Sequence, residues 1–209
     1  MTILTFLRRT AAAAAALVLP ALASAHTGDG SLHAHSPFVA GLLHPWSGVD
    51  HLAAMLAVGA WSALALQRRW LAPAAFVSVF TVGAVAGMAG VILPVIGTLV
   101  EPMIAASLLI LGLLVATRRS LPLAMALGLS GLFAFFHGAA HGQELASLGR
   151  TDSGVALLGM VLSTATLHIA GLLAGHYALA PRRRLTVAIG GGVALLGTGL
   201  LASLSLGLA

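Results

Sequence analysis

The chain has 209 residues, of which 59% are hydrophobic and only 7% charged, with a formal net charge of +5 and a mean hydropathy of +1.05. Water-soluble domains carry about 25% charged residues, so a soluble enzyme or binding module is excluded. The apolar runs do not alternate with polar residues, which argues against a membrane β-barrel, and the absence of cysteine removes disulfides and thiolate metal sites.

In chain order, the first element reads as a targeting segment. Residues 1–25 contain Arg8 and Arg9, an apolar stretch and the small-x-small end Ala23-Ser24-Ala25, the pattern of a cleavable signal peptide. Cleavage after Ala25 would leave His26 as the mature N-terminus. Residues 26–45 follow as a polar, His-containing periplasmic lead-in, expected to be a loop, in which His26, His33 and His35 could collect a metal ion, His26 through both its ring and the new N-terminal amine.

The remainder, 46–209, is expected to form an all-α transmembrane domain of six spans. They lie near 46–66, 71–93, 98–117, 120–141, 153–180 and 185–206. All basic residues are arginines, and they fall between apolar runs: Arg68 and Arg69, Arg118 and Arg119, and Arg182 to Arg184 follow the first, third and fifth spans. If His26 lies outside, each of these clusters is cytoplasmic and only Arg150 is external, as the positive-inside rule requires. The chain is therefore expected in a bacterial inner membrane with both mature termini periplasmic. This distribution also explains the pI near 11.6 without a nucleic-acid partner. Small residues recur as "GAVAG" (83–87), "GAAHG" (138–142) and "GLLAG" (171–175), faces that let helices approach closely in lipid and could also support a homo-oligomer.

Ionisable residues inside a bilayer are costly and face cavities or partners. Here they cluster at one membrane face. In "LLHPWSGVDHLAAML" (42–56), Pro45 suits a first helical position, with His44 as cap and Asp50 and His51 one turn in. Asp50 could bind a cation, orient an imidazole, or simply favour a helix start. In "FHGAAHGQE" (136–144), His137 and His141 are four apart on one face, with Glu144 three further on if the helix persists. Two imidazoles at this spacing can chelate a divalent ion, although the glutamate of H-E-x-x-H is missing. His168, in the fifth span, could continue a metal path or bond to Ser163, Thr164 or nearby backbone. His176 fits a helix C-terminus.

An imidazole and carboxylate ligand set suits zinc, copper(II), nickel, cobalt or iron(II). It also suits an intramembrane zinc hydrolase with Glu144 or Asp50 as base. A haem carrier built on paired histidines is a third reading, at odds with the crowding of histidines at one face.

"HPWSGVDHLAAMLAVGAW" (44–61) and "FHGAAHGQE" (136–144) resemble the two signature segments of the HupE/UreJ family, and the likeness covers essentially the whole mature chain. The separate nickel/cobalt permease family is only loosely similar, since Pro45 to Val49 here separate His44 from Asp50-His51 more widely than in its motif. The HupE/UreJ resemblance implies a non-enzymatic permease or accessory protein for nickel or cobalt, supporting hydrogenase or urease maturation. It implies that His44, Asp50, His51, His137, His141 and Glu144 handle the metal, that no organic cofactor is involved, and that metallochaperones are partners.

Overall fold

The computed structural model describes residues 36–92 and 94–207. The signal segment, His26, His33 and His35 lie outside the described residues. Among the described residues all regular structure is helical. The helices are α1 (Pro37–Ser47), α2 (Val49–Ala65), α3 (Leu71–Met88), the single turn α4 (Pro94–Gly97), α5 (Val100–Thr117), α6 (Leu123–Leu145), α7 (Arg150–Leu173) and α8 (Arg183–Ser205). The chain of α7 runs on as a π-helix over Ala174–Leu179. Five helical runs are long and apolar enough to cross a membrane, and a sixth arises if α1 and α2 count as one broken span.

The break between α1 and α2 corrects the expected helix start. Pro45 does not begin a helix; it lies near the end of α1, and His44 sits in that helix's last turn rather than at a cap. The preference for proline at a helix start is met instead by Pro37, following Ser36. Part of the expected lead-in loop is thus helical. Pro45 has no N–H to offer the turn before it, and Gly48 then adopts an extended conformation (φ −87°, ψ 113°). The chain bends by 80° there before α2 begins.

Glycine-mediated contacts assemble the helices. "GAVAG" of α3 lies directly on "GAAHG" of α6: a Cβ on Gly83 or Gly87 would strike the backbone of Phe135, Ala139 or Gln143, and one on Gly138 or Gly142 the backbone of Phe80 or Ala84. "GLLAG" of α7 receives α2, with Gly171 against Leu56 and Gly175 against Ala60. These small-residue faces are therefore used within the chain instead of being left for a second copy. Residue numbers increase together along both pairs, so α3 runs parallel to α6, and α2 to α7. By contrast α5 and α8 run antiparallel, through Gly112 against Gly190 and Ala194, and Gly197 against Ala105 and Leu109. This is the up-and-down alternation expected of successive spans.

One end of the bundle is tied by arginine. Arg118, in the left-handed conformation at φ 55°, donates to the carbonyl oxygens of Leu179 (2.6 Å) and Ala180 (3.0 Å) and to Thr186 Oγ1 (2.7 Å). Arg183 donates to the carbonyl of Ala116, and Trp61 Nε1 to that of Arg119 (2.9 Å). Orphan carbonyls at helix ends are thereby satisfied. The histidine motifs lie toward the other end.

Because lipid supplies no hydrophobic drive between helices, close packing carries their association. Gly142→Val should therefore destabilise the protein by about 1–3 kcal/mol or more through overpacking. Gly128→Ala, where a Cβ meets no atom within 4 Å, should be neutral. Thermal unfolding in detergent compares them; equal midpoints for Gly142→Val and the parent chain would refute the close-packing account.

Candidate metal centre

The six motif residues converge between α1, α2 and α6. His44 Nε2 lies 2.9 Å from Glu144 Oε2, and His141 Nδ1 lies 3.3 Å from the same oxygen. Ligand atoms of His44, His141 and Glu144 all fall within 4.8 Å of one another. An ion about 2.1 Å from each imidazole nitrogen would need only small side-chain shifts. The glutamate is in place because α6 continues through Gly142 to Leu145, so His137, His141 and Glu144 share a face as the spacing anticipates.

Below this outer triad the rings continue inward. The His51 ring centroid is 4.3 Å from that of His141 and 4.9 Å from that of His137. Phe76 of α3 lies against both His137 (5.8 Å) and His168 of α7 (4.9 Å). Exposure falls along this series: the Glu144 side chain is 51% exposed, that of His44 22%, and His137 and His168 are fully buried. The 80° bend makes two levels accessible to one helix pair, since His44 on α1 reaches the outer triad while His51 on α2 reaches the ring beneath.

Hydrogen bonds settle which nitrogen of each inner ring carries a proton. Asp50 Oδ1 accepts from the backbone N–H of His51 (2.8 Å) and from its ring Nδ1–H (3.0 Å). The Ser107 hydroxyl donates to the Ile104 carbonyl (2.6 Å), so its oxygen accepts from His137 Nε2–H at 3.0 Å. His168 Nδ1–H donates to the Thr164 carbonyl (2.7 Å). Among the described residues, the other nitrogen of each ring is buried with no hydrogen-bond partner: His51 Nε2, His137 Nδ1 and His168 Nε2. A donated N–H on one side and a bare lone pair on the other is how an imidazole is prepared for a metal ion.

Several contributors carry no signal in the sequence. Ser107 is the single serine of an apolar helix, and Phe76 and Phe80, whose ring lies 5.7 Å from His141, look like ordinary core. Trp46 donates to Ser163 Oγ (2.8 Å), pinning α1 to α7. Gly41 against Ala156 and Gly159 against Phe38 bring the same two helices together. His176 stands apart from the centre and packs on Tyr177.

No solved structure matches the chain. Its sequence is 41% identical over 189 residues to "Protein HupE" of Rhizobium leguminosarum bv. viciae, covering 90% of this chain and 94% of that protein. The family model described as HupE / UreJ protein matches residues 14–200. That stretch holds α1 through most of α8 and every described residue of the imidazole series, and by this extent of likeness the chain belongs to the HupE/UreJ family.

Proposed function

We propose that the protein carries nickel, with cobalt as a second substrate, inward across the bacterial inner membrane to supply maturation of a metalloenzyme such as hydrogenase or urease. The observation that carries this reading is the descending series of imidazoles between α1, α2, α6 and α7, each inner ring offering one unpartnered buried nitrogen. Family membership supports nickel or cobalt as the ion. With the arginine-tied end cytoplasmic, the exposed Glu144 and the half-buried His44 face the periplasm.

In this mechanism the ion is substrate. Glu144, His44 and His141 capture it, and the carboxylate offsets part of its charge while the two rings replace water. Before ligation each of the two ring nitrogens facing Glu144 gives up its proton, to the other nitrogen of its own ring or to water, which leaves the carboxylate oxygen and both nitrogens free for the ion. His51 and His137 then take the ion deeper as neutral ligands. Asp50 holds the His51 ring in orientation and supplies a nearby negative charge in a low-dielectric setting. Retained water and the moderate affinity of neutral imidazoles keep the ion from being trapped. An inside-negative potential favours entry of a divalent ion by about 4.6 kcal/mol per 100 mV. A cytoplasmic metallochaperone is the natural recipient.

A zinc hydrolase needs a carboxylate free to act as base. Here Glu144 is shared by two imidazoles and Asp50 is held by His51, an arrangement that favours carriage over hydrolysis.

His51→Ala and His137→Ala should each reduce cellular nickel accumulation to background while leaving membrane insertion unchanged. Normal accumulation by both variants would sink the assignment. Ser107→Ala removes the acceptor that sets the His137 tautomer and should weaken metal binding about 10- to 100-fold. Ser107→Thr, which keeps the hydroxyl, should recover most of it; equilibrium dialysis of the purified protein with nickel measures the difference.

A further inference from the structure

His168 lies beyond both signature segments, on a different helix from the other histidines. Nδ1–H is spent on the Thr164 carbonyl one turn back, which leaves a lone pair on Nε2 that is buried and unpartnered. Thr164 Oγ1, four residues earlier and hence on the same face of α7, is likewise buried without a partner. Leaving a buried polar group unsatisfied is costly, and two on one helical turn call for a common ligand. A packing role does not account for them, since a leucine at 168 would fill the space without that cost. The Phe76 ring packs against both His168 and His137, so the His168 ring lies one side chain beyond the last ring of the centre.

The close passage of α2 explains why His168 is held there. A Cβ on Gly59 would strike the His168 carbonyl, so the backbone of α7 at this residue is clamped against α2 and its side chain is directed toward Phe76.

We infer that His168 is a further metal ligand, an inner station that receives the ion through Nε2 after His51 and His137, with the Thr164 hydroxyl as an accompanying oxygen ligand or water anchor. The inference rests on the reading of the centre as a path for a metal ion. It extends the path beyond the two motifs and onto α7.

The chain contains no cysteine, so a thiolate placed at 168 is a unique spectroscopic label. Purified His168→Cys in detergent is titrated with Co²⁺. Ligation at 168 predicts a near-ultraviolet thiolate-to-cobalt charge-transfer band, absent from the parent chain and from Ile169→Cys, which points to the exposed face. Absence of the band, with Co²⁺ otherwise bound as in the parent chain, would overturn the inference. His168→Gln gives a second decision should the cysteine variant fail to bind Co²⁺ at all. It should keep equilibrium Co²⁺ affinity within about twofold while the initial rate of Co²⁺ entry into proteoliposomes falls at least about tenfold; an unchanged rate would overturn the station. The two readings separate cleanly. A charge-transfer band in a protein whose parent chain passes no metal would remove transport and keep the ligand, whereas metal entry without the band would do the reverse.

Discussion

The contact between α3 and α6 is the constraint on which the candidate metal centre depends. "GAVAG" and "GAAHG" meet backbone to backbone, and a single Cβ at any of their four terminal glycines would collide with the opposite main chain. The residues between those glycines are not spectators. His141 is one of them, and His137 immediately precedes Gly138, so the contact that holds two helices together also fixes where two candidate ligands stand. Phe76 and Phe80 lie on the facing helix at the same levels and form the apolar wall against which the rings rest. Packing and chemistry share one strip of sequence.

Placing imidazoles in a low-dielectric interior has a cost that the structure meets only halfway. Each inner ring has one acceptor, respectively a carboxylate, a hydroxyl and a backbone carbonyl, and each leaves its second nitrogen bare. A core evolved for stability alone would satisfy both nitrogens or replace the ring. The pattern repeats on three helices, and repetition separates it from an accident of packing. The bend at Gly48 has the same logic. A straight helix through His44 and His51 would place them about two turns apart on its own axis; the break lets the two side chains enter the centre from different directions.

Much of this was legible in the sequence. Apolar length indicates a bundle of alternating spans, since lipid demands helices; five of the six expected are helices long enough to cross, and the sixth is met only by the bent α1–α2 pair taken together. The spacing of His137, His141 and Glu144 put them on one face, and α6 persists through Gly142 as that required. The start of the first span was misplaced because two prolines, Pro37 and Pro45, both satisfy the rule for a helix start. Local chemistry does not say which one does so and which one instead accompanies a break. Ser107 was invisible for a different reason. A hydroxyl in an apolar helix commonly bonds its own backbone, as Ser107 also does to Ile104, and nothing nearby in the chain marks the distant ring it accepts from.

The sequence by itself determined the class of structure, the alternating helices and the side-chain types gathered at one end, because hydropathy, charge and residue spacing act locally along the chain. Only the tertiary structure decided that α1 and α2 are a broken pair, that the small-residue motifs face one another, and that His168 stands in line with the motif histidines. Those depend on which helix packs against which, and in lipid that choice is made by close steric fit between surfaces far apart in sequence.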